Sequence, residues 1–176
     1  MSSSIGAEAQ LHAKARQEAL RFLSYRSRSR AEVRRKLAHH YPSEVVEQVI
    51  ARLVEQLYLD DLAFAIEWRR QRERRRPRGQ SVLRRELQTL GVDPEVIREA
   101  LDGIEELDNA YRAVGALARR LADNDYGHFR QKVWAYLQRR GFDHSAIRST
   151  VERYWNELAD SLDGGVDTET QDQPTD

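Results

Sequence analysis

Val33 and Leu37 recur as Leu83 and Leu87 and again as Val133 and Leu137, each time after 50 residues and without a gap. A period of that size marks one supersecondary unit copied along the chain. After each pair the chain turns and a second amphipathic stretch begins, first at Tyr41-Pro42-Ser43-Glu44-Val45-Val46. The next copies begin at Gly91-Val92-Asp93-Pro94-Glu95-Val96-Ile97 and at Gly141-Phe142-Asp143-His144-Ser145-Ala146-Ile147. Ahead of each pair lies a longer stretch with apolar residues at helical spacing. It carries Leu11, Ala15, Ala19 and Leu23, then Ala65 and Trp68, then Ala110, Val114, Leu117, Ala118 and Leu121. The period therefore predicts three units of three helices.

Punctuation supports an all-α chain, because only four Pro and nine Gly interrupt it and three- and four-residue apolar spacing fills most of the intervals. Ser29-Arg30-Ala31-Glu32 reads as a capping box, and Asp93-Pro94-Glu95 sets a cap, a first-turn proline and a dipole-matched acid in order. Asp143 and Ser43 fit the same capping role, while Gly91 and Gly141 read as left-handed helix ends. A unit of this size is too small for a self-sufficient core, so the three are expected to pack as an elongated, curved array. The expected bounds are 1–58, 59–106 and 107–162, with a disordered acidic tail over 163–176 that cannot offset its ordering entropy.

A net charge of zero hides a segregation. Six acids and no base lie beyond residue 158, which leaves 29 cations against 23 carboxylates, a net of +6, in the body. Of those cations 26 are Arg, a bias that suits bidentate phosphate contacts and that genome base composition also produces. With 40% hydrophobic residues the chain is not wholly disordered, and without Cys it has no disulfide scaffold, thiolate nucleophile or thiolate metal site. No apolar run approaches a membrane span and the first residues do not form an export signal, so the expected setting is the cytoplasm.

Chemistry finds little foothold. His12, His39, His40, His128 and His144 form no His-x-x-x-His pair, so neither metal nor other cofactor is expected. Asp60-Asp61 reads as a helix start rather than a magnesium pair. The loop Arg75-Arg76-Pro77-Arg78-Gly79-Gln80-Ser81 lacks the glycine and lysine spacing of a nucleotide cradle, and no Ser-His-Asp signature is present. A non-enzyme is expected.

The cations carry the strongest signal. Between Arg69 and Arg85 nine Arg, among them Arg70, Arg74, Arg75, Arg76, Arg78, Arg84 and Arg85, face Glu73 alone within that stretch. Such a density is repulsive unless anions lie nearby. Arg26, Arg28, Arg30, Arg34, Arg35 and Lys36 precede it, and Arg130, Lys132, Arg139 and Arg140 follow. Arg34-Arg35 and Arg84-Arg85 share the 50-residue spacing, which on an array would form a line suited to a phosphate backbone. The plainer alternative is a solvated face with local ion pairs. Most aromatic residues sit at core spacing, but Trp134 occupies the place of Arg34 and Arg84 and is a candidate to stack on bases.

Several of these segments together resemble the RecX family of recombination regulators. They are Ala19-Leu20-Arg21-Phe22-Leu23-Ser24-Tyr25-Arg26 with Ser29-Arg30-Ala31-Glu32-Val33-Arg34-Arg35-Lys36-Leu37, then Leu57-Tyr58-Leu59-Asp60-Asp61-Leu62-Ala63-Phe64-Ala65, then Gly79, Leu83-Arg84-Arg85-Glu86-Leu87 and Gly91-Val92. The resemblance covers roughly residues 15 to 158. It implies a protein without catalytic residues that binds the RecA nucleoprotein filament on single-stranded DNA; a monomer is expected. Such a protein lies in the filament groove and suppresses strand exchange, ATP hydrolysis and co-protease activity, in DNA repair and the SOS response. The alternative is a stand-alone helical protein that does not depend on RecA, each three-helix unit acting like a helix-turn-helix module on duplex DNA.

Overall fold

The computed structural model describes residues 2–163. Among them the chain forms α1 (Ser2–Ser24), α2 (Arg30–Ala38), α3 (Ser43–Glu55), α4 (Asp61–Arg75), α5 (Gln80–Thr89), α6 (Pro94–Leu101), α7 (Glu106–Arg120), α8 (Tyr126–Arg139) and α9 (His144–Asp163), with no strand. These are three tandem three-helix repeats. The expected tail lies outside the described residues except for Asp163, which ends α9.

Val33, Leu37, Leu83, Leu87, Val133 and Leu137 are all fully buried, so the 50-residue comb is the core register of α2, α5 and α8. Each repeat buries a cluster of its own. Ala15, Ala19, Ile50 and Leu53 close the first, Phe64, Ala65, Ile97 and Leu101 the second, and Ala110, Val114, Phe129 and Ile147 the third. Three helices of 8 to 23 residues can each turn an apolar stripe inward over one small shared volume.

The caps follow the sequence with one exception. Ser29 and Glu32 form the reciprocal capping box of α2, and the carboxylates of Asp93, Asp125 and Asp143 accept from the first turns of α6, α8 and α9. At α3, by contrast, Pro42 takes the cap position and no side chain accepts, so Ser43 is not a cap. Gly91 and Gly141 end their helices at φ of +79° and +82° as expected. Leu57 adopts the left-handed region after α3, where the Tyr58 N–H donates back to the Leu53 carbonyl at 2.8 Å and closes the helix end as at Gly91 and Gly141.

The described residues divide into two compact units, residues 2–74 with Leu83–Ile104, and Arg75–Val82 with residues 105–163. In the first unit the Ser29 hydroxyl donates to the Leu90 carbonyl at 2.6 Å, and Gly91 lies against Ala31. There Asp61 Oδ1, at the start of α4, accepts the Arg30 backbone N–H at 2.8 Å and so caps α2 from 31 residues away. In the second unit the Gly79 N–H donates to the Arg140 carbonyl at 2.9 Å, and Gly141 lies against Ser81 and Val82. Glu106, at the start of α7, accepts the Gln80 N–H at 3.3 Å. The two seams share one register, since Ser29 and Gly79, Leu90 and Arg140, Ala31 and Ser81, and Gly91 and Gly141 are each 50 residues apart.

Candidate nucleic-acid interface

Residues that follow the buried comb positions must leave the core stripe, because successive helical side chains diverge by about 100°. Arg34 and Arg35 on α2, and Arg84 and Arg85 on α5, are accordingly exposed. In the third repeat the same places hold Trp134 and Ala135, which are half-buried.

In the first unit, acidic partners claim part of the cation set. Arg26 and Arg28 share Glu32, at 2.6 and 3.2 Å. Arg34 grips Glu47 through two bonds of 2.6 and 2.8 Å, and Lys36 lies 3.3 Å from Glu18. Arg74 meets Glu67 at 3.1 Å and Arg72 meets Glu86 at 3.1 Å. Arg70 is close enough to help hold the Glu67 carboxyl below its ordinary value, after the larger effects of hydrogen bonds from Gln71 and Arg74. Glu67 and Glu86 lie just outside the stretch whose own acid is Glu73 alone, so its repulsion is smaller than the local composition implies. Arg30, Arg35, Arg84 and Arg85 make no side-chain hydrogen bond or ion pair among the described residues, which leaves their guanidinium groups available to a phosphate.

The second unit holds Arg75, Arg76, Arg78, Arg130, Lys132, Arg139 and Arg140. Arg140 donates to the Pro77 carbonyl at 3.3 Å and lies over the Tyr136 ring at 4.5 Å, which makes it part of the frame. Arg130 stands 5.8 Å from the Trp134 ring centroid. Arg75, Arg76, Lys132 and Arg139 are exposed, with no side-chain hydrogen bond or ion pair among the described residues.

Glu32 has more tasks than its capping position announced. Burial opposes its ionisation, yet hydrogen bonds from Arg26, from the Ser29 N–H and from Arg28 outweigh this and hold its carboxyl below the ordinary 4.5. A depressed folded-state value contributes stability above the unfolded value and loses it as pH falls through the folded one. Glu32→Gln is expected to cost about 1 kcal/mol at pH 7, the usual magnitude for a lost cap. The difference from the parent chain should shrink as pH drops below 4.5, and thermal melts over pH 3 to 7 read it. A constant difference across that range would mean that the charge of Glu32 is immaterial.

Asp60 and Asp61 are both occupied with backbone. Asp60 Oδ1 accepts the Ala63 N–H at 2.9 Å, as a cap does, while Asp61 serves α2. No helix among the described residues is long and apolar enough to cross a membrane.

Three family descriptions match in tandem along the chain: RecX, first three-helix domain, over residues 15–53; the second over 60–101; and the third over 104–151. The chain belongs to the RecX family. The RecX domains coincide with α1–α3, α4–α6 and α7–α9, each match taking in the buried pair of its repeat. The chain is 37% identical over 142 residues to the Regulatory protein RecX of Prosthecochloris aestuarii, across 79% of this chain and 92% of that protein. To the Regulatory protein RecX of Bacillus velezensis it is 33% identical over 144 residues, 80% of this chain but 55% of that relative. The crystal structure of RecX from Lactobacillus salivarius shares the fold at a TM-score of 0.77 and 23% identity, across 83% of this chain and 97% of that one.

Proposed function

We propose that this chain regulates RecA by binding its filament on single-stranded DNA and lowering the strand-exchange, ATPase and co-protease activities of that filament. The observation that carries this reading is the tandem of three RecX domains over residues 15–151. The repeats that would act are 1–58, 59–106 and 107–162, in the cytoplasm and as a monomer. Exposed guanidinium groups that recur with the repeat, at Arg35 and Arg85 and beside them at Arg30 and Arg84, would supply sequence-independent phosphate contacts. Arg75, Arg76, Lys132 and Arg139 would add to them. Arg26, Arg28, Arg34, Lys36 and Arg74 would contribute only on leaving their carboxylates, and Arg70, Arg78, Arg130 and Arg140 complete the basic set.

No catalytic residue enters this reading, so regulation must come from binding one filament state more tightly than another. Inhibition is then saturable and bounded by that difference in affinity. The test is the DNA-dependent ATPase of RecA and filament-stimulated repressor cleavage, measured against rising concentrations of the full chain. Both are expected to fall together to a plateau, and to recover together as salt rises. If neither changes at concentrations where the chain covers bare DNA, a DNA-binding protein independent of RecA replaces this reading.

A further inference from the structure

We propose that Trp134, with Arg130, forms a base-stacking subsite for single-stranded nucleic acid on α8, a contact the first two repeats lack. The inference rests on the nucleic-acid part of the reading above. Its first support is the exchange at one repeat position, where Arg34 and Arg84 give way to Trp134. An arginine there meets phosphate, whereas an indole offers a flat π face that any base can cover.

The second support is a difference in build. α5 starts at Gln80, three residues before its first buried comb residue Leu83, while α8 starts at Tyr126, seven before Val133. The added turn anchors itself through Phe129, which is fully buried, and places Tyr126 and Gly127 beside Trp134. Trp134 and Arg130 line two adjoining open hollows, of about 340 and 210 Å³. Gly127 borders the larger, and Tyr126, Arg148 and Glu152 border the smaller. Arg130 and Arg148 form no ion pair among the described residues, so both can meet the phosphates that flank a stacked base. Glu152 disfavours a phosphate within the small hollow and can accept from the exocyclic amino group of a base.

The third support is that the other two tryptophans are already engaged. Trp68 donates its N–H to Glu86 at 2.7 Å and lies under the Arg72 guanidinium at 4.2 Å. Trp155 is tilted against Phe129 and Tyr126, with centroids at 5.4 and 5.2 Å. Trp134 is half-buried, its N–H has no acceptor among the described residues, and His144 and Arg130 flank it at 5.6 and 5.8 Å. It is held firmly enough to be pre-positioned and open enough to be covered.

The experiment compares a thymidine oligonucleotide with an abasic strand of equal length and phosphate number, titrated with the full-length chain at low salt. The parent chain should prefer the strand with bases by roughly ten-fold, the scale of one stacked base. Trp134→Leu retains an apolar side chain against the α8–α9 core and should abolish that preference with its salt slope unchanged. Trp134→Phe should keep most of the preference, and Arg130→Gln should make the slope shallower by roughly 0.7. Melting curves of each variant show that the third repeat is intact. If the parent chain binds both strands equally, or Trp134→Leu keeps the preference, the subsite is overturned while the phosphate reading stands. If the parent chain binds neither strand, the subsite falls with the DNA contacts, and the RecA ATPase measurement decides the rest separately.

Discussion

Replacing Gly79 by alanine is expected to destabilise the second unit by about 3 kcal/mol, the scale of an overpacked site combined with a lost hydrogen bond. An added Cβ would stand 2.1 Å from the Gly141 carbonyl oxygen and 2.4 Å from the Phe142 nitrogen. Those are main-chain atoms, so no rotamer change can make room. Moving the backbone apart would break the 2.9 Å bond from the Gly79 N–H to the Arg140 carbonyl and pull the Ser81 hydroxyl from the Gly141 carbonyl, now at 2.7 Å. Gly6→Ala is the internal control, because a Cβ there meets nothing within 4 Å and alanine favours a helix by up to about 1 kcal/mol over glycine. Urea melts of both variants separate the two effects. A Gly79→Ala chain as stable as its parent would mean that the seam yields far more easily than its close packing implies.

The largest functional effect is expected from converting Arg30, Arg35, Arg84 and Arg85 together to glutamine. Each contact to a single strand contributes about 0.7 to the slope of log affinity against log salt, so losing four should flatten it by close to three. Affinity at low salt should fall most, and the difference should narrow as salt rises. Folding should be unaffected, since all four side chains are exposed and none has an ion pair to lose among the described residues. Converting Arg26, Arg28 and Arg34 should change the slope less per residue, because each is already bound to Glu32 or Glu47. A slope left unchanged by the four substitutions would remove phosphate binding from the first unit.

Periodic and local features were readable from the chain itself. The buried comb, the capping box at Ser29, the proline start at Pro94 and the glycine stops at Gly91 and Gly141 each depend on residues a few places apart, and each stands where its chemistry required. Pairings across helices were not readable. Asp61 looked like an acid for its own helix, yet it serves Arg30, because the approach of α4 to the start of α2 is a tertiary fact that local spacing does not carry. Glu67 and Glu86 were likewise missed as counter-charges, since they neutralise Arg74 and Arg72 from 7 and 14 residues away. The cation list was legible as composition. Which cations are spoken for depended on where folding set the acids.

The matching seams bear on how such a chain can lengthen and diverge. Their contacts join backbone, small side chains and first-turn acids, groups that change of sequence elsewhere leaves alone, and their register of 50 holds from Ser29 to Gly79 and from Gly91 to Gly141. The starts of α4 and α7 are only 45 residues apart, and α8 has four residues more than α5. Between the second and third repeats the difference in length therefore lies between the first helix and the comb, while the comb and its glycine keep their spacing. The seam contacts keep one spacing while the helices around them differ in length, so surface that varies between repeats lies away from the seams.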